Sequence, residues 1–460
     1  MTLWVTMVGL AAAAPQPIDA ASLEAFEVPD AAVPPPDEWW SSLGDDGLNE
    51  VLTRAFDGNQ ELAVSAAGVQ QASGTALATG SALLPSASFD VTATGQPLDN
   101  VAFCAVGQPD FLNQPDADWC WQGSARLNAR WNLDVFGRST TGYLASRYDA
   151  EAARGNRDAV ELQVASRVAN AYFDVVAARQ QLEIVQTQLA TQNDLASLVE
   201  FRYEQGLATS LDVLQQRSAV SGTEALQPPA RLSLQVAEQT LAVLLGSDPA
   251  HPPATSDSLP EPGAPPDPGS PAELVARRPD LHAAQATYEA SRSRLTSTTL
   301  ELLPTLQANA SAGWSYVFAP DLDTLEGWSV GGSLSVPLFN GGATHGRIRA
   351  SKAARDQAMH SWNQALLSAA SDVRTALSQD RENAARREAV DNQLLAARLT
   401  YEESQERYLS GVDTFLNVLA AWNSLQQAEL NSVSAHRDVL SSRIAVFVAL
   451  GGGPSTGGTP

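Results

Sequence analysis

The chain has 460 residues, only 17% of them charged, and its 52 Asp and Glu outnumber 28 Lys and Arg for a net charge of −24. That balance argues strongly against a nucleic-acid partner, because phosphate binding needs clustered basic residues. It suits solubility, or an acidic channel lining that favours cations.

The first residues, "MTLWVTMVGLAAAAPQP", put an apolar core before small residues, as a secretory signal does, with cleavage near Ala13 or Ala14. The basic start of such a signal is missing. No stretch approaches the roughly 18 to 20 apolar residues of a membrane-spanning helix, so a membrane crossing would fall to strands. A helical pattern over Leu48–Thr79 leads to "LLP" and a first strand at about 86–96, in which Phe89, Val91 and Ala93 alternate with polar neighbours. Cys104 and Cys120 follow within one loop-like stretch. Two thiols make a poor zinc site, and a loop-closing disulfide in an oxidising compartment is the better reading.

A second strand, about 121–135, sets Leu127, Ala129, Trp131 and Leu133 against Arg126, Asn128, Arg130 and Asn132. A long helix over about 140–205 comes next. It holds no proline and carries Val160, Val164, Val168, Ala171, Val175, Ala178, Leu182, Val185 and Leu189 at three-four spacing, continued by Ala196 and Val199. That is a coiled-coil seam, on a rod of roughly 100 Å at 1.5 Å per residue. Such a rod has no core of its own and must pack against neighbours. A turn near Gly206 opens a helix to Leu245 that Pro228 and Pro229 should kink or break, and Gly246 reads as its stop.

After a Pro-rich linker the whole order recurs. "LLP" returns before a strand at about 305–318, a fourth strand follows at about 327–338, and "PLFNGG" echoes "LDVFGR". A second long helix, about 343–410, turns near Gly411. There "RYLSGVDTFLNVL" from Arg407 repeats "RYEQGLATSLDVL" from Arg202 after 205 residues. The chain thus divides into a signal-like segment and linker (1–38), a first repeat (39–245), a Pro-rich linker (246–271), a second repeat (272–450) and a flexible tail (451–460).

Period-two strands with aromatics near their ends match a transmembrane barrel and a soluble sheet with one dry face equally well. Four strands cannot close a barrel by themselves, since bacterial barrels need about eight or more, and an open sheet in lipid would leave its edges unsatisfied. Either the sheet is soluble or several chains share one barrel, and three chains would supply twelve strands.

The order and motifs resemble the TolC-like outer-membrane efflux proteins, most of all the branch that serves resistance–nodulation–division pumps. The resemblance runs from "WWSSLGDDGLNEVLTRAFDGNQEL" at Trp39 to "VALGG" at Val448 and includes "ELVARRPDLHAAQ" from Glu273. It implies a mixed α and β membrane protein: a trimeric 12-stranded β-barrel in the outer membrane, four strands per chain, continued into the periplasm by an α-helical barrel. The function implied is a passive exit duct for small molecules and drugs in a tripartite pump, with a periplasmic adaptor, an inner-membrane pump and outer-membrane lipids as partners. The two repeated turns would form the periplasmic tip. Tyr203, Asp212, Tyr408, Asp413 and Asn417 are the resulting aperture-gate candidates, and Gly206, Leu207, Ala208, Thr209, Gly411, Val412 and Thr414 the adaptor-docking candidates. Asn417 and Ala420 stand where acidic residues are common, so the gate should be less acidic than the family pattern. Plain helix-turn chemistry is the competing reading of these residues, and a structural pairing role is the better one for Arg277 and Arg278. The lipidated cysteine of many relatives has no counterpart near this start, so no lipidation is expected.

Five scattered histidines show no metal-ligand spacing, and no nucleophile, Walker or dinucleotide motif stands in its proper context. No enzyme activity, cofactor or metal is expected. An exit duct for type I protein secretion and a soluble periplasmic coiled-coil adaptor are the alternatives. The second fits poorly, since adaptors usually carry a single hairpin.

Overall fold

The computed structural model describes residues 16–29, 32–33, 36, 38–97, 119–318 and 322–452. The signal-like segment, the tail beyond Gly452 and Cys104 lie outside them. So does the side chain of Cys120, and with it the expected disulfide. Helices α1 (Asp46–Gly58) and α2 (Gln60–Gly80) precede β1 (Ser86–Pro97) and β2 (Trp119–Leu133). Then come α3 (Arg138–Glu204), α4 (Ser210–Glu224) and α5 (Gln227–Leu244). After the linker, α6 (Pro271–Arg277) and α7 (Pro279–Thr299) lead to β3 (Thr305–Phe318), β4 (Leu322–Ser335), α8 (Ala343–Leu409) and α9 (Phe415–Ala449). Both long helices, α3 and α8, have 67 residues.

Two compact units emerge. One holds the strands with residues 69–152 and 285–360, and the other the remaining described chain. In the first, the four strands form one antiparallel sheet in the order β1-β2-β3-β4. The register places Phe89 opposite Leu127, Leu127 opposite Ala312 and Ala312 opposite Trp328, so one face is apolar across the whole sheet. The other face is polar. Asn128 donates to Asp90 at 2.7 Å, Arg126 to Ser315 at 3.2 Å and Gln307 to Asn132 at 3.2 Å. β4 pairs with β3 only to Ser335. Val336 and Leu338, which continue the sequence alternation, fall past the paired end, where Pro337 has no N–H to offer the ladder.

The second unit is helical and has three separate cores, as its long helices require lateral partners. Trp39, Leu48, Val168, Tyr172, Phe173 and Phe447 belong to the first, and Phe26, Leu281, Leu366, Val373 and Leu450 to the second. Along α3 the buried stripe follows Val164, Val168, Ala171, Val175 and Val185, then moves to Gln188, Gln192, Leu195 and Val199. Leu189 and Ala196 are only partly buried. A 3.6-residue helix drifts against a 3.5-residue repeat, and the glutamines enter the seam because each finds a partner. Gln188 donates to Glu429 at 2.8 Å, and the Gln192 side-chain oxygen accepts from Gln216 at 2.6 Å.

Helix breaks fall where the chain offers substitutes for lost backbone bonds. Asn59 interrupts Leu48–Thr79: its side-chain oxygen accepts from the Glu61 and Leu62 N–H groups and its amide donates to the Leu244 carbonyl at 2.7 Å. Pro228 and Pro229 sit in the first turn of α5, where a missing N–H costs nothing. α9, lacking such a pair, runs unbroken. The Pro-rich linker is packed, contrary to its composition. Arg387 forks onto Glu261, Arg443 donates to the Gly263 carbonyl, His436 meets the Pro260 carbonyl at 2.9 Å, and Tyr172 bonds both Asp45 and Ser256 at 2.9 Å.

Candidate functional site: the two hairpin tips

The repeated string has a common backbone solution. At the end of α3 the Gly206 N–H donates to the Tyr203 carbonyl (2.9 Å) and the Leu207 N–H to the Arg202 carbonyl (2.8 Å). At the end of α8, Gly411 and Val412 do the same to Tyr408 (3.0 Å) and Arg407 (2.9 Å). This is the Schellman stop, which needs a left-handed residue after the helix, and Gly206 (φ 72°) and Gly411 (φ 74°) supply it. Leu207 and Val412 are both 67% exposed. Thr209 and Thr414 are the N-caps of α4 and α9. The recurring glycine and threonine therefore serve the backbone of each helix–turn–helix.

The side chains then diverge. In the first hairpin Asp212 and Thr209 form a capping box, Asp212 accepting the Thr209 N–H at 2.7 Å and Thr209 accepting the Asp212 N–H at 3.3 Å. In the second, Asn417 cannot accept as a carboxylate does. Asp413 takes over, accepting from the Thr414 N–H (2.7 Å) and the Asn417 amide (2.5 Å), with Arg407 at 3.4 Å. Those donors, the backbone N–H first, hold the Asp413 carboxyl below the usual carboxylate range. Asp413 thus replaces the missing acid locally and stays ionised.

The tyrosines are not equivalent. Tyr203 is 49% exposed, whereas Tyr408 is 5% exposed inside the third core, with Val199, Phe415, Val418 and Trp422. Its ring tilts against Phe415 at 5.3 Å between centroids and lies under the Arg202 guanidinium at 4.8 Å. Arg202 also donates to the Leu409 carbonyl at the end of α8 (3.2 Å), so it ties one hairpin to the other. Among the described residues the Tyr408 hydroxyl has no partner in good hydrogen-bond geometry, and the Arg202 guanidinium is the donor nearest to serving it. Burial pushes its pKa up; Arg202 opposes this and Asp212 adds to it. The structure thus sets Tyr408 under Arg202 of the other hairpin and leaves Tyr203 half exposed. Motif reading favoured the tyrosines and passed over the arginine before each; its signal was there, in the repeated "RY". Phe415 and the Tyr401–Trp422 pair (5.2 Å) were legible only as apolar helix positions.

Arg278 donates to Asp280 (2.8 Å), Asp372 (3.3 Å) and the Ala449 carbonyl (2.9 Å), and Arg277 pairs with Glu273, so both have structural pairings. Among the described residues, no three or more His, Cys, Asp or Glu side chains are grouped to hold a metal ion. No described helix is long and apolar enough to cross a membrane.

Known proteins share this design. A family model described as outer membrane efflux protein matches residues 51–247 and 271–452. The pyoverdine export outer membrane protein OpmQ of Pseudomonas aeruginosa is 30% identical over 90% of this chain and 87% of its own. The toluene efflux pump outer membrane protein TtgF of Pseudomonas putida is 29% identical over 90% and 85%. The solved outer-membrane channel OprN superposes with a TM-score of 0.82 at 25% identity, covering 97% of this chain and 99% of its own. The open state of the MtrE outer membrane channel of Neisseria gonorrhoeae gives 0.81 at 20% identity, covering 97% and 98%, a likeness of fold. Matched across both repeats in sequence and along nearly its whole length in fold, the chain belongs to the outer membrane efflux protein family.

Proposed function

We propose that three copies of this chain form a passive duct through the outer membrane, which exports small molecules handed over by an inner-membrane pump and its periplasmic adaptor. The observation that carries this is the sheet. Its apolar face is bare: Phe89, Val91, Leu127, Trp314, Trp328 and Val330 are 44–80% exposed, more apolar surface than a soluble monomer shows in one patch. Its two outer edges, on β1 and β4, have no partner among the described residues. Four antiparallel strands leave β1 and β4 running in opposite directions, so β4 of one copy can pair antiparallel with β1 of the next. Two copies would close eight strands around a lumen that side chains fill, burying Arg126, Arg130 and Asn128. Three give twelve strands and a lumen wide enough to keep those groups wet.

Small molecules as cargo follow from the relatives named for pyoverdine and toluene export. The tip is the gate and the adaptor seat in this reading. Arg202 and Tyr408 hold the hairpins of one copy together, Asp212 caps the first of them, and Asp413 and Asn417 line the polar side. Leu207 and Val412 are the exposed apolar contacts for the adaptor, beside Ala208 and the turn residues Gly206, Thr209, Gly411 and Thr414. Purified from outer membranes in detergent, the protein should have the mass of a trimer and insert into planar bilayers as a channel. Recovery as a soluble monomer without detergent would sink this reading.

A further inference from the structure

One surface carries charge of the opposite sign to the chain as a whole. The protein is at −24 overall, yet the described ionisable side chains on the polar face of the sheet are two arginines, Arg126 and Arg130, and one aspartate, Asp90. Asp90 is taken up by neutral donors, the Ser88 hydroxyl at 2.9 Å and the Asn128 amide at 2.7 Å. Both arginines are exposed. Among the described residues Arg126 spends one N–H on the Ser315 hydroxyl at 3.2 Å, Arg130 has no side-chain hydrogen bond, and neither is in an ion pair. The register also clears the backbone beside them. Arg126 lies opposite Gly313 and Gly313 opposite Gly327, while Arg130 lies opposite Asn309 and Asn309 opposite Gly331. A Cβ at Gly313 would come within 2.9 Å of the Arg126 Cγ, and one at Gly327 would meet nothing. Glycine weakens a strand interior and marks places where another group comes close to the backbone. Two guanidinium groups with N–H groups to spare thus stand over a floor with few side chains.

We propose that this face is an anion-binding site: in the assembled duct, Arg126 and Arg130 of three copies form two rings that hold oxyanion-bearing cargo, such as carboxylates or phosphates, on its way out. This rests on the trimeric reading above and adds the class of cargo. Arginine suits the task because its planar fork binds a carboxylate or phosphate through two N–H groups at once. The rings stand about 13 Å apart along the strand, so one extended polyanion can touch both. Twelve strands about 4.8 Å apart and tilted about 40° close to a backbone diameter of roughly 24 Å. With arginine heads reaching inward from that wall, the whole cross-section lies within about one Debye length of a guanidinium at 0.1 M salt, ~10 Å. Each copy adds two arginines against one aspartate, so the sheet's lumen attracts anions although the chain is acidic.

The test joins the trimer's mass in detergent to single-channel recording of the full chain at 0.1 M salt, with inositol hexakisphosphate in both chambers as the probe and inositol as the neutral control. The hexakisphosphate should interrupt the current at concentrations where inositol does not. Arg126→Gln with Arg130→Gln should raise the half-blocking concentration at least tenfold, whereas Arg126→Lys with Arg130→Lys, which keeps the charge, should retain most of the block. Raising the salt to 1 M, where the Debye length falls to about 3 Å, should weaken the block of the parent far more than that of the glutamine variant. Where the double variant assembles poorly, each single glutamine variant should give an intermediate half-blocking concentration. A conducting trimer that the probe does not block, or glutamine variants blocked at the parent's concentration, overturns the anion site and leaves the duct standing. A monomer that forms no channel overturns both.

Discussion

Replacing Tyr408 by Phe should leave the tip as stable as before or slightly more so, whereas replacing it by Ala should loosen it. The ring is 5% exposed, packed on Phe415 and covered by Arg202, so Ala forfeits a buried aromatic side chain. Such truncations cost about 3–5 kcal/mol, and the cation–π contact adds about 1–2 kcal/mol where it is partly desolvated. Phe keeps the ring and its quadrupole. It removes only a hydroxyl that has no partner in good hydrogen-bond geometry among the described residues, and leaving such a group buried costs about 1–3 kcal/mol. Hydrogen exchange along the last turns of α8 and the first of α9 reads this directly. At tenfold per 1.4 kcal/mol, Ala should speed exchange there by roughly 100-fold or more, and Phe should not. Single-channel recording should give the same order, with Ala opening more often and Phe resembling the parent. If Phe matched Ala in both assays, the hydroxyl and not the ring would be holding the tip, and the packing argument would be wrong.

Three further outcomes follow from the structure. Asp380 and Arg443 are a buried pair at 3.1 Å, each side chain 8% exposed; Asp380→Ala strands the guanidinium and should cost about 3–5 kcal/mol in denaturant unfolding, while Asp380→Leu with Arg443→Met should recover much of it. His436 is held neutral, its pKa lowered by burial and then by Arg387, although the Pro260 carbonyl and Glu261 oppose this. Its folded pKa lies below the unfolded value, so its contribution is present above about pH 6.5 and lost as pH falls through the folded value. His436→Gln should flatten that part of a stability–pH curve. Val330→Arg, on the bare apolar face, should cost about 2–4 kcal/mol at a bilayer midplane and lower the trimer recovered from outer membranes; unchanged recovery would place that face away from lipid.

Much of the architecture could be read without coordinates because it rests on local rules. Period-two alternation at Leu127–Leu133 and Thr305–Phe318 specifies strands whichever solvent they meet. The proline-free runs of α3 and α8 leave helix as the only economical way to satisfy so many backbone groups. The glycine after each long helix and the threonine before the next mark the turns. Alternation was a poorer guide at Val336 and Leu338, where Pro337 ends the ladder. Heptad counting was a poorer guide after Val185, where buried glutamines displace Leu189 and Ala196 from the seam. In both places a hydrogen bond made or denied overruled the hydrophobic pattern.

The sequence by itself determined that two copies of one helix–strand–strand–helix unit exist and that their tips share a backbone solution. Those facts need only neighbours in the chain. Tertiary structure alone decided that equivalent residues do unequal work. Arg202 is spent on Tyr408 and Leu409 while Arg407 pairs with Asp413 in its own turn, and Tyr408 is buried while Tyr203 is half exposed. A repeat presents the same residues twice, but within one chain only one of its two faces can be covered by the other copy. That inequality comes from packing across more than 200 residues, which no local pattern encodes.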